Sequence, residues 1–270
     1  MAEEVKNIGV EELKVLQMDV LQVLADFCTA HGIPYSLACG TMLGAVRHKG
    51  YIPWDDDIDI YLLRKDYDRL MREFPAEYRN VRIAALERTP HWDKPYAKAY
   101  DARTVMVEHN RSRMRIGVNL DIFPLDAVPD EEAAWRRYDR RRRFWQTLFQ
   151  LKMTCPDARR TAGKNATIRL AHILLFPVSA HRFARFLDRY ARRFAGKDTE
   201  YVFECAMGLI MKDRFHRAVC NDLSDYPFED RVFKGFTNSD AYLTSAYGDY
   251  RTLPPEEKRV SHHVFKAWWQ

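Results

Sequence analysis

The sequence lacks both a long apolar run and a paired cysteine motif. The longest strongly apolar stretch is "AHILLFPV", from Ala171 to Val178, far shorter than the roughly 20 residues that a membrane-spanning helix needs. The five cysteines lie far apart and form no Cys-x-x-Cys pair. An odd number of cysteines without metal-ligand spacing favours reduced thiols in the cytoplasm. We therefore expect neither a transmembrane helix nor a disulfide framework.

The sequence also shows no secretory signal, no internal repeat and no low-complexity linker. Its first residues, "MAEEVKNIGVEELK", are acidic and polar, whereas a signal peptide begins with basic and then apolar residues. The composition, 47% hydrophobic and 13% aromatic over 270 residues, is typical of a packed enzyme with one large or two small domains. We expect a cytoplasmic protein, either free or peripheral at the inner face of the membrane.

Charge is distributed unevenly along the chain. The net charge is +5, and basic residues are concentrated in 136–143 ("RRYDRRRR") and 182–193, whereas acidic residues cluster near position 55. This split suits an anionic partner such as a nucleotide, a lipid head group or an acidic glycan. The 182–193 stretch is interpreted as a core helix with a charged outer face, or alternatively as an interfacial helix that contacts anionic lipid. We expect no nucleic-acid partner, because no RNA-binding aromatic motif or zinc finger is present.

The pattern of apolar residues predicts an α+β protein. A long amphipathic helix is predicted in "VEELKVLQMDVLQVLADFCTAHG", followed by strands in "IPYSLAC", "DIDIYLL", "VRIAAL", "YAKAYD" and "GVNLDIFPLDAVP". These segments form a mixed region over 1–129. Residues 130–225 are predicted as helical, and 226–270 as a C-terminal segment with a strand, a short helix and a loop.

A glycine-containing turn is the first candidate site. In "ACGTMLGAVRHKG", Gly40 can adopt backbone angles closed to other residues, and Thr41 can cap the helix that follows. The N-terminus of a helix presents free N–H groups that favour a phosphate. In most proteins such a turn has only a structural role. It indicates a phosphate site here because an acidic strand follows it.

The acidic stretch "WDDDIDI" provides the matching metal ligands. Asp57 and Asp59 are two residues apart in an extended segment, so they project from the same face, while Ile58 and Ile60 point the other way. Paired carboxylates hold Mg²⁺ or Mn²⁺, as metal-assisted phosphoryl or nucleotidyl transfer requires. Asp121, in "NLDIF", is the predicted third carboxylate. The alternatives are a solvated acidic turn at 55–57 and a bond from Asp121 to a neighbouring arginine.

Several basic residues are candidates for contacts with phosphate. Arg47 and His48 follow the short helix and could neutralise a diphosphate, or form a solvated basic turn. Lys98 alternates with Tyr96 and Tyr100 on its predicted strand, so it faces either the same cleft or the surface.

Four segments resemble the LicD family, in the order found in that family. They are "SLACGTMLGAVRHKGYIPWDDDIDI", "YAKAYDARTV", "GVNLDIFPLDAVP" and "SAYGDYRTLPPEEKRVSHH", which together span residues 36–263. The family contains phosphocholine transferases of bacterial surface glycans and is related to fukutin-like ribitol-phosphate transferases. The resemblance implies a nucleotidyltransferase-like mixed sheet in 1–129, with the helical 130–225 inserted or appended and 226–270 returning to the active site.

The resemblance also implies roles for individual residues. Gly40 and Thr41 would form the glycine-containing turn, with Cys39 in place of the usual small residue before it. Asp57 and Asp59 would be the paired metal ligands. Asp121 would complete the metal shell or accept the proton of the acceptor.

The resemblance further implies a reaction and its partners. The donor would be a CDP-alcohol, with CDP-choline favoured, and the acceptor a hydroxyl of a saccharide, lipid-linked or free, with release of CMP. The alternatives are a nucleotidyltransferase that forms a CDP-activated compound, and a ribitol-phosphate or glycerol-phosphate transferase. In the tail "KRVSHH", His262 and His263 would close over the nucleotide. Candidates for binding a quaternary ammonium are Trp54, Trp92, Tyr96 and Trp145.

Overall fold

The computed structural model describes residues 6–208, 212–259 and 265–270. The helices in these ranges are α1 (Val10–His31), α2 (Cys39–Arg47), α3 (Arg64–Glu73), α4 (Glu132–Met153), α5 (Ala162–Leu174), α6 (Ala180–Ala191) and α7 (Ser239–Tyr247). The strands are β1 (Ser36–Leu37), β2 (Asp59–Leu63), β3 (Val81–Ala84), β4 (Ala97–Asp101), β5 (Thr104–Glu108), β6 (Asn119–Val128), β7 (Tyr201–Glu204), β8 (Phe215–His216), β9 (Leu223–Phe228), β10 (Arg231–Phe236) and β11 (Phe265–Trp269). The predicted α+β class is confirmed.

A mixed sheet forms the centre of the molecule, with the strand order β1-β2-β6-β4-β3. Strand β6 is parallel to β2 on one side. On its other side β6 is antiparallel to β4 through 119–122 and to β7 through 125–128. Pro124 lies between the part of β6 that pairs with β4 and the part that pairs with β7. The N–H that proline lacks is therefore not needed for either pairing. One long strand therefore joins the N-terminal strands to the segment that follows the helices.

The helices cover this sheet. Helix α1 packs on β4 and β6, α3 packs on β2 and β6, and α4 packs against α5 and α6. The apolar face of α6 is buried, including Phe183 and Leu187, while its arginines point outward, as expected for a core helix. Among the described residues, no helix combines the length and the apolar character needed to cross a bilayer.

The structure differs from the sequence prediction at several strands. Strand β1 contains only two residues, and the sequence analysis missed the pairing of β5 with β11. Strands β7 and β8 lie within the stretch predicted as helical, and β7 belongs to the central sheet because it pairs with β6. Strand β2 begins at Asp59, so Asp57 precedes it. The domain boundaries at 129 and 225 stay a prediction.

Candidate active site

The neighbouring carboxylates of Asp57 and Asp59 meet that of the distant Asp121 at the start of β2 and β6. Asp59 is the register partner of Asp121 across the parallel pair, and Asp57 lies just before β2. Asp59 is buried. Burial, followed by the charges of Asp57 and Asp121, raises the pKa of the Asp59 carboxyl well above its usual range. The site therefore concentrates negative charge, which a bound cation would relieve.

A cavity of about 290 Å³ opens beside these carboxylates. Asp57 and Asp121 line it, and the other walls carry both charges and apolar groups. The remaining lining residues are Gln17, Asp56, Ile58, Tyr96, Lys98, Met106, Glu108, His109, Asn110, Asn119, Asp157, Arg159, Arg160 and Phe265. Such a volume with a few convergent polar groups is suited to part of a small ligand.

Lys98 is held between three acceptors inside this cavity. Its Nζ lies 2.7 Å from Asp121 Oδ1, 2.8 Å from Glu108 Oε1 and 2.9 Å from Asn119 Oδ1. Burial alone would lower the pKa of Lys98, but the charges of Asp121 and Glu108 raise it well above its usual range. Lys98 is buried, so the surface-charge alternative is wrong. Its contact with phosphate stays a prediction, and its present role is to hold the Asp121 carboxylate in place.

The same ion pair modifies Asp121. Burial raises the pKa of the Asp121 carboxyl, and the adjacent Lys98 opposes this increase without cancelling it. The alternative was that Asp121 bonds to a neighbouring arginine. Asp121 does form an ion pair with a basic residue, but that residue is Lys98 and not an arginine.

The glycine-containing turn is built differently from the prediction. Helix α2 begins at Cys39, so Gly40 and Thr41 lie inside its first turn. The positive φ of +48° belongs to Cys39. Gly40 instead leaves space for Asp55, since a Cβ there would approach Asp55 Oδ2 to 2.5 Å and displace that carboxylate. A carboxylate thus already lies against the positive end of α2. Phosphate binding at this turn stays a prediction.

Thr41 does not cap α2, contrary to the prediction. Its Oγ1 accepts a hydrogen bond of 2.9 Å from the backbone N–H of Asp59. The capping position is Ala38, which has no side chain suited to this role. Thr41 therefore fixes the first residue of β2, and with it the position of the Asp59 carboxylate.

Arg47 and His48 contact other residues than those of the cavity. Arg47 Nη1 donates to the Tyr250 carbonyl oxygen at 2.8 Å, and the His48 ring meets the edge of Trp54 at 6.3 Å. Burial and the charge of Arg47 lower the pKa of His48. The cavity is lined by neither Arg47 nor His48 among the described residues. Their contact with a diphosphate stays a prediction.

His262 and His263 lie outside the described residues. The described residues before and after this pair lie in different environments. Phe265 lines the cavity, and the Arg259 guanidinium lies over the ring of Trp54 at 5.7 Å.

Of the four aromatic candidates for a quaternary ammonium, Tyr96 lines the cavity. Trp92 is fully buried and donates its Nε1–H to the Tyr96 carbonyl oxygen at 2.8 Å, so its role is structural. Trp145 packs edge-on against Phe186 between α4 and α6. Tyr96 is therefore the aromatic residue of this set that a ligand in the cavity would meet.

The sequence analysis missed several residues that build the site. Gln17 is buried on α1, and its amide donates to the carbonyl oxygens of Asp56 and Asn119 at 3.0 and 3.1 Å. This side chain ties the acidic loop to β6. A glutamine within the apolar stripe of a helix was the available signal. Glu108 and the arginines of the loop after α4 carried no comparable signal.

The donor chemistry of the site suits a hard divalent cation, because carboxylate oxygens are its preferred ligands. Within the described ranges, however, no group of three or more His, Cys, Asp or Glu side chains is spaced to hold a metal ion. The ammonium of Lys98 already neutralises Asp121 at 2.7 Å. Asp57 and Asp59 are thus the better-placed candidate ligands.

The chain is similar to known proteins, in one case over nearly its whole length. Residues 32–155 match the family model described as "LicD/FKTN/FKRP, nucleotidyltransferase domain". The chain is 28% identical to the lipopolysaccharide cholinephosphotransferase LicD of Haemophilus influenzae, over 97% of this chain and 99% of that protein. A shorter match, 36% identical, covers 27% of this chain and 28% of an uncharacterized protein of Rickettsia prowazekii.

Proposed function

We propose that this chain, whose residues 32–155 match the LicD family model, is a LicD-type phosphotransferase. It transfers a phospho-alcohol, with phosphocholine favoured, from a CDP-alcohol to a hydroxyl of a cell-surface glycan and releases CMP. The full-length similarity to a lipopolysaccharide cholinephosphotransferase supports this activity. The proposal includes a nucleotidyltransferase-like core around β2 and β6.

The observation that carries the proposal is the pairing of Asp59 with Asp121 across parallel strands, with Asp57 beside them at a cavity. Asp57 and Asp59 are the proposed ligands of Mg²⁺ or Mn²⁺. When bound, the ion neutralises charge on the donor diphosphate. The protein's own contribution is to hold these two carboxylates at a fixed position, through Thr41 and through the burial of Asp59.

Asp121 is the proposed general base. The ion pair with Lys98 fixes the orientation of the Asp121 carboxylate, which lines the cavity. Burial raises the pKa of Asp121, so the basicity of this carboxylate increases. It accepts the proton of the acceptor hydroxyl while that oxygen bonds to the phosphorus of the donor and CMP departs. Arg159 and Arg160, on the cavity wall, supply positive charge to the diphosphate. Positioning and charge neutralisation provide most of the acceleration.

A panel of CDP-alcohols tests this function. We expect the purified protein to release CMP from CDP-choline in the presence of a glycan acceptor and Mg²⁺, and EDTA to abolish the release. Asp57→Asn and Asp59→Asn should each lower kcat by about 100-fold or more. The matched control is Asp230→Asn, in the exposed turn between β9 and β10.

Three outcomes would contradict the proposal. Activity of Asp57→Asn and Asp59→Asn within a few-fold of wild type would remove the metal-ligand assignment. Release of pyrophosphate from CTP would indicate the nucleotidyltransferase alternative. CMP release from CDP-ribitol or CDP-glycerol, with none from CDP-choline, would exclude phosphocholine as the transferred group.

A further inference from the structure

An exposed apolar segment lies at the C-terminal end of helix α5. This segment, residues 170–178, is called the apolar tip. Phe176 is 82% exposed, Ile173 is 70% exposed and Leu174 is 69% exposed. Leu170 and Val178 are also exposed, whereas only Ile168 and Ala171 of α5 are buried. Exposed apolar residues this close together differ from the scattered ones found on most protein surfaces, and they indicate an interaction site.

Basic side chains surround the apolar tip. Arg111, Arg113 and Lys152 line a surface cavity of about 610 Å³ together with Phe176 and Val178. Lys152 Nζ donates to the Leu175 carbonyl oxygen at 3.0 Å, which attaches the tip to α4. Burial, followed by the charge of Arg111, lowers the pKa of Lys152, so positive charge is crowded here.

Few acidic groups offset this charge. Asp93 is the acidic residue that lines the cavity, and it accepts a hydrogen bond from Ser112 Oγ at 2.7 Å. An adjoining groove, which shares His91 and His181 with the cavity, carries Arg182, Arg185 and Arg189 of α6. Glu87 and Asp188 also line that groove, and Arg192 bonds to both of them at 2.9 and 2.8 Å.

We propose that the apolar tip and its basic rim dock the protein on an anionic lipid bilayer. Exposed apolar side chains, Phe176 among them, enter the boundary between head groups and acyl chains, and basic residues beside them meet anionic head groups. The exposed apolar side chains of the tip and the cations that flank them are together complementary to an anionic bilayer, which is negatively charged at its surface and apolar beneath it. This inference does not depend on the proposed transfer reaction.

Helix α5 connects the apolar tip to the loop that borders the candidate active site. Helix α5 has 13 residues and is therefore about 20 Å long. It begins beside the loop that carries Arg159 and Arg160 on the wall of the acidic cavity, and it ends at the apolar tip. Docking through the tip would hold the cavity at a short distance from the lipid surface.

The test is co-sedimentation of the full chain with vesicles of phosphatidylcholine, with and without phosphatidylglycerol, at low and high salt. We expect binding to the anionic vesicles, weakened by salt. Leu174→Ser/Phe176→Ser should lower the partition coefficient by about tenfold or more, since two exposed apolar side chains lose their transfer into lipid. Arg111→Gln/Arg113→Gln should weaken binding to anionic vesicles and reduce its salt dependence.

Matched controls test whether the loss of exposed apolar or charged side chains elsewhere on the protein has the same effect on vesicle binding. Val232→Ser removes an exposed apolar side chain from β10, and Arg79→Gln/Arg82→Gln removes two exposed charges near β3. Both controls should bind as the wild type does. Equal binding to neutral and anionic vesicles, or unchanged binding of Leu174→Ser/Phe176→Ser, would overturn the proposal. So would a loss of self-association in that variant with vesicle binding intact, because the tip would then be an interface between two copies of the chain.

Discussion

At the residue scale, the centre of the candidate site is a lysine with three acceptors rather than an isolated group of carboxylates. Lys98 bonds to Glu108, Asn119 and Asp121 within 2.9 Å. A buried cation with all its donors satisfied is stable only while its anionic partners remain. The ammonium thus opposes the rise in the pKa of Asp121 that burial causes.

Glu108 provides a pH test of this arrangement. The charge of Lys98 lowers the pKa of Glu108 from 4.5 to about 2, so the folded state binds its proton less readily than the unfolded state. Its stabilising contribution is therefore complete above about pH 4.5 and is lost as the pH falls toward 2. With a discount for partial exposure, Glu108→Gln should lower the free energy of unfolding by about 2 kcal/mol at pH 7.

Urea unfolding at several pH values measures this contribution. The difference between wild type and Glu108→Gln should shrink as the pH falls below 4.5. The control is Glu77→Gln, whose partner Arg82 is exposed, and it should change stability little at any pH. A difference that stays constant with pH would show that the ion pair with Lys98 does not cause the effect.

At the scale of elements, side-chain and backbone hydrogen bonds join helix α2 to strand β2. Thr41 Oγ1 accepts the N–H of Asp59, and the Ala38 N–H donates to the Asp59 carbonyl oxygen at 2.9 Å. The backbone of Asp59 is thus held on both sides by the start of α2. The glycine-containing segment positions the carboxylate, whatever else it binds.

Replacement of Thr41 tests this connection. Thr41→Val keeps the shape of the side chain but leaves the buried N–H of Asp59 without its acceptor. We expect the free energy of unfolding to fall by about 1–3 kcal/mol, and kcat to fall as well because the carboxylate is displaced. Thermal unfolding and CMP release measure the two effects. Thr244→Val, at an exposed position of α7, is the control, and equal results for both variants would refute the role of Thr41.

At the scale of the whole molecule, a buried ion-pair network connects the helical layer to the sheet. Arg64, at the start of α3, bonds to Asp126 on β6 at 2.7 Å and to Asp188 on α6 at 3.1 Å. Arg192 extends the network from Asp188 to Asp68. The layers around β6 are therefore linked by charge as well as by apolar packing.

Removal of the central cation should be costly for the whole fold. Arg64→Met leaves Asp126 buried without its partner, so the free energy of unfolding should fall by about 3–5 kcal/mol. Arg82→Met breaks an exposed pair with Glu77 and should cost less than about 1 kcal/mol. Urea unfolding compares the two variants. Similar costs for both would mean that the network does not connect the layers energetically.

The sequence by itself determined the features that depend on neighbouring residues. Helix α1 lies where its apolar periodicity places it and ends at Gly32 in the left-handed conformation. Ser179 caps α6, since its hydroxyl accepts a hydrogen bond from the Arg182 N–H, and serine is among the residue types preferred at this position. The quoted motifs were sufficient for the LicD resemblance, which the family match confirms.

Only the tertiary structure decided which distant residues meet. The parallel register of β2 and β6 places Asp121 opposite Asp59, and β4 then brings Lys98 to the same carboxylate. The sequence analysis assigned Thr41 to a cap, whereas the fold makes it a support for β2. The physical reason is that periodicity and capping act over a few residues, whereas strand register and ion pairs depend on packing between segments far apart in the chain.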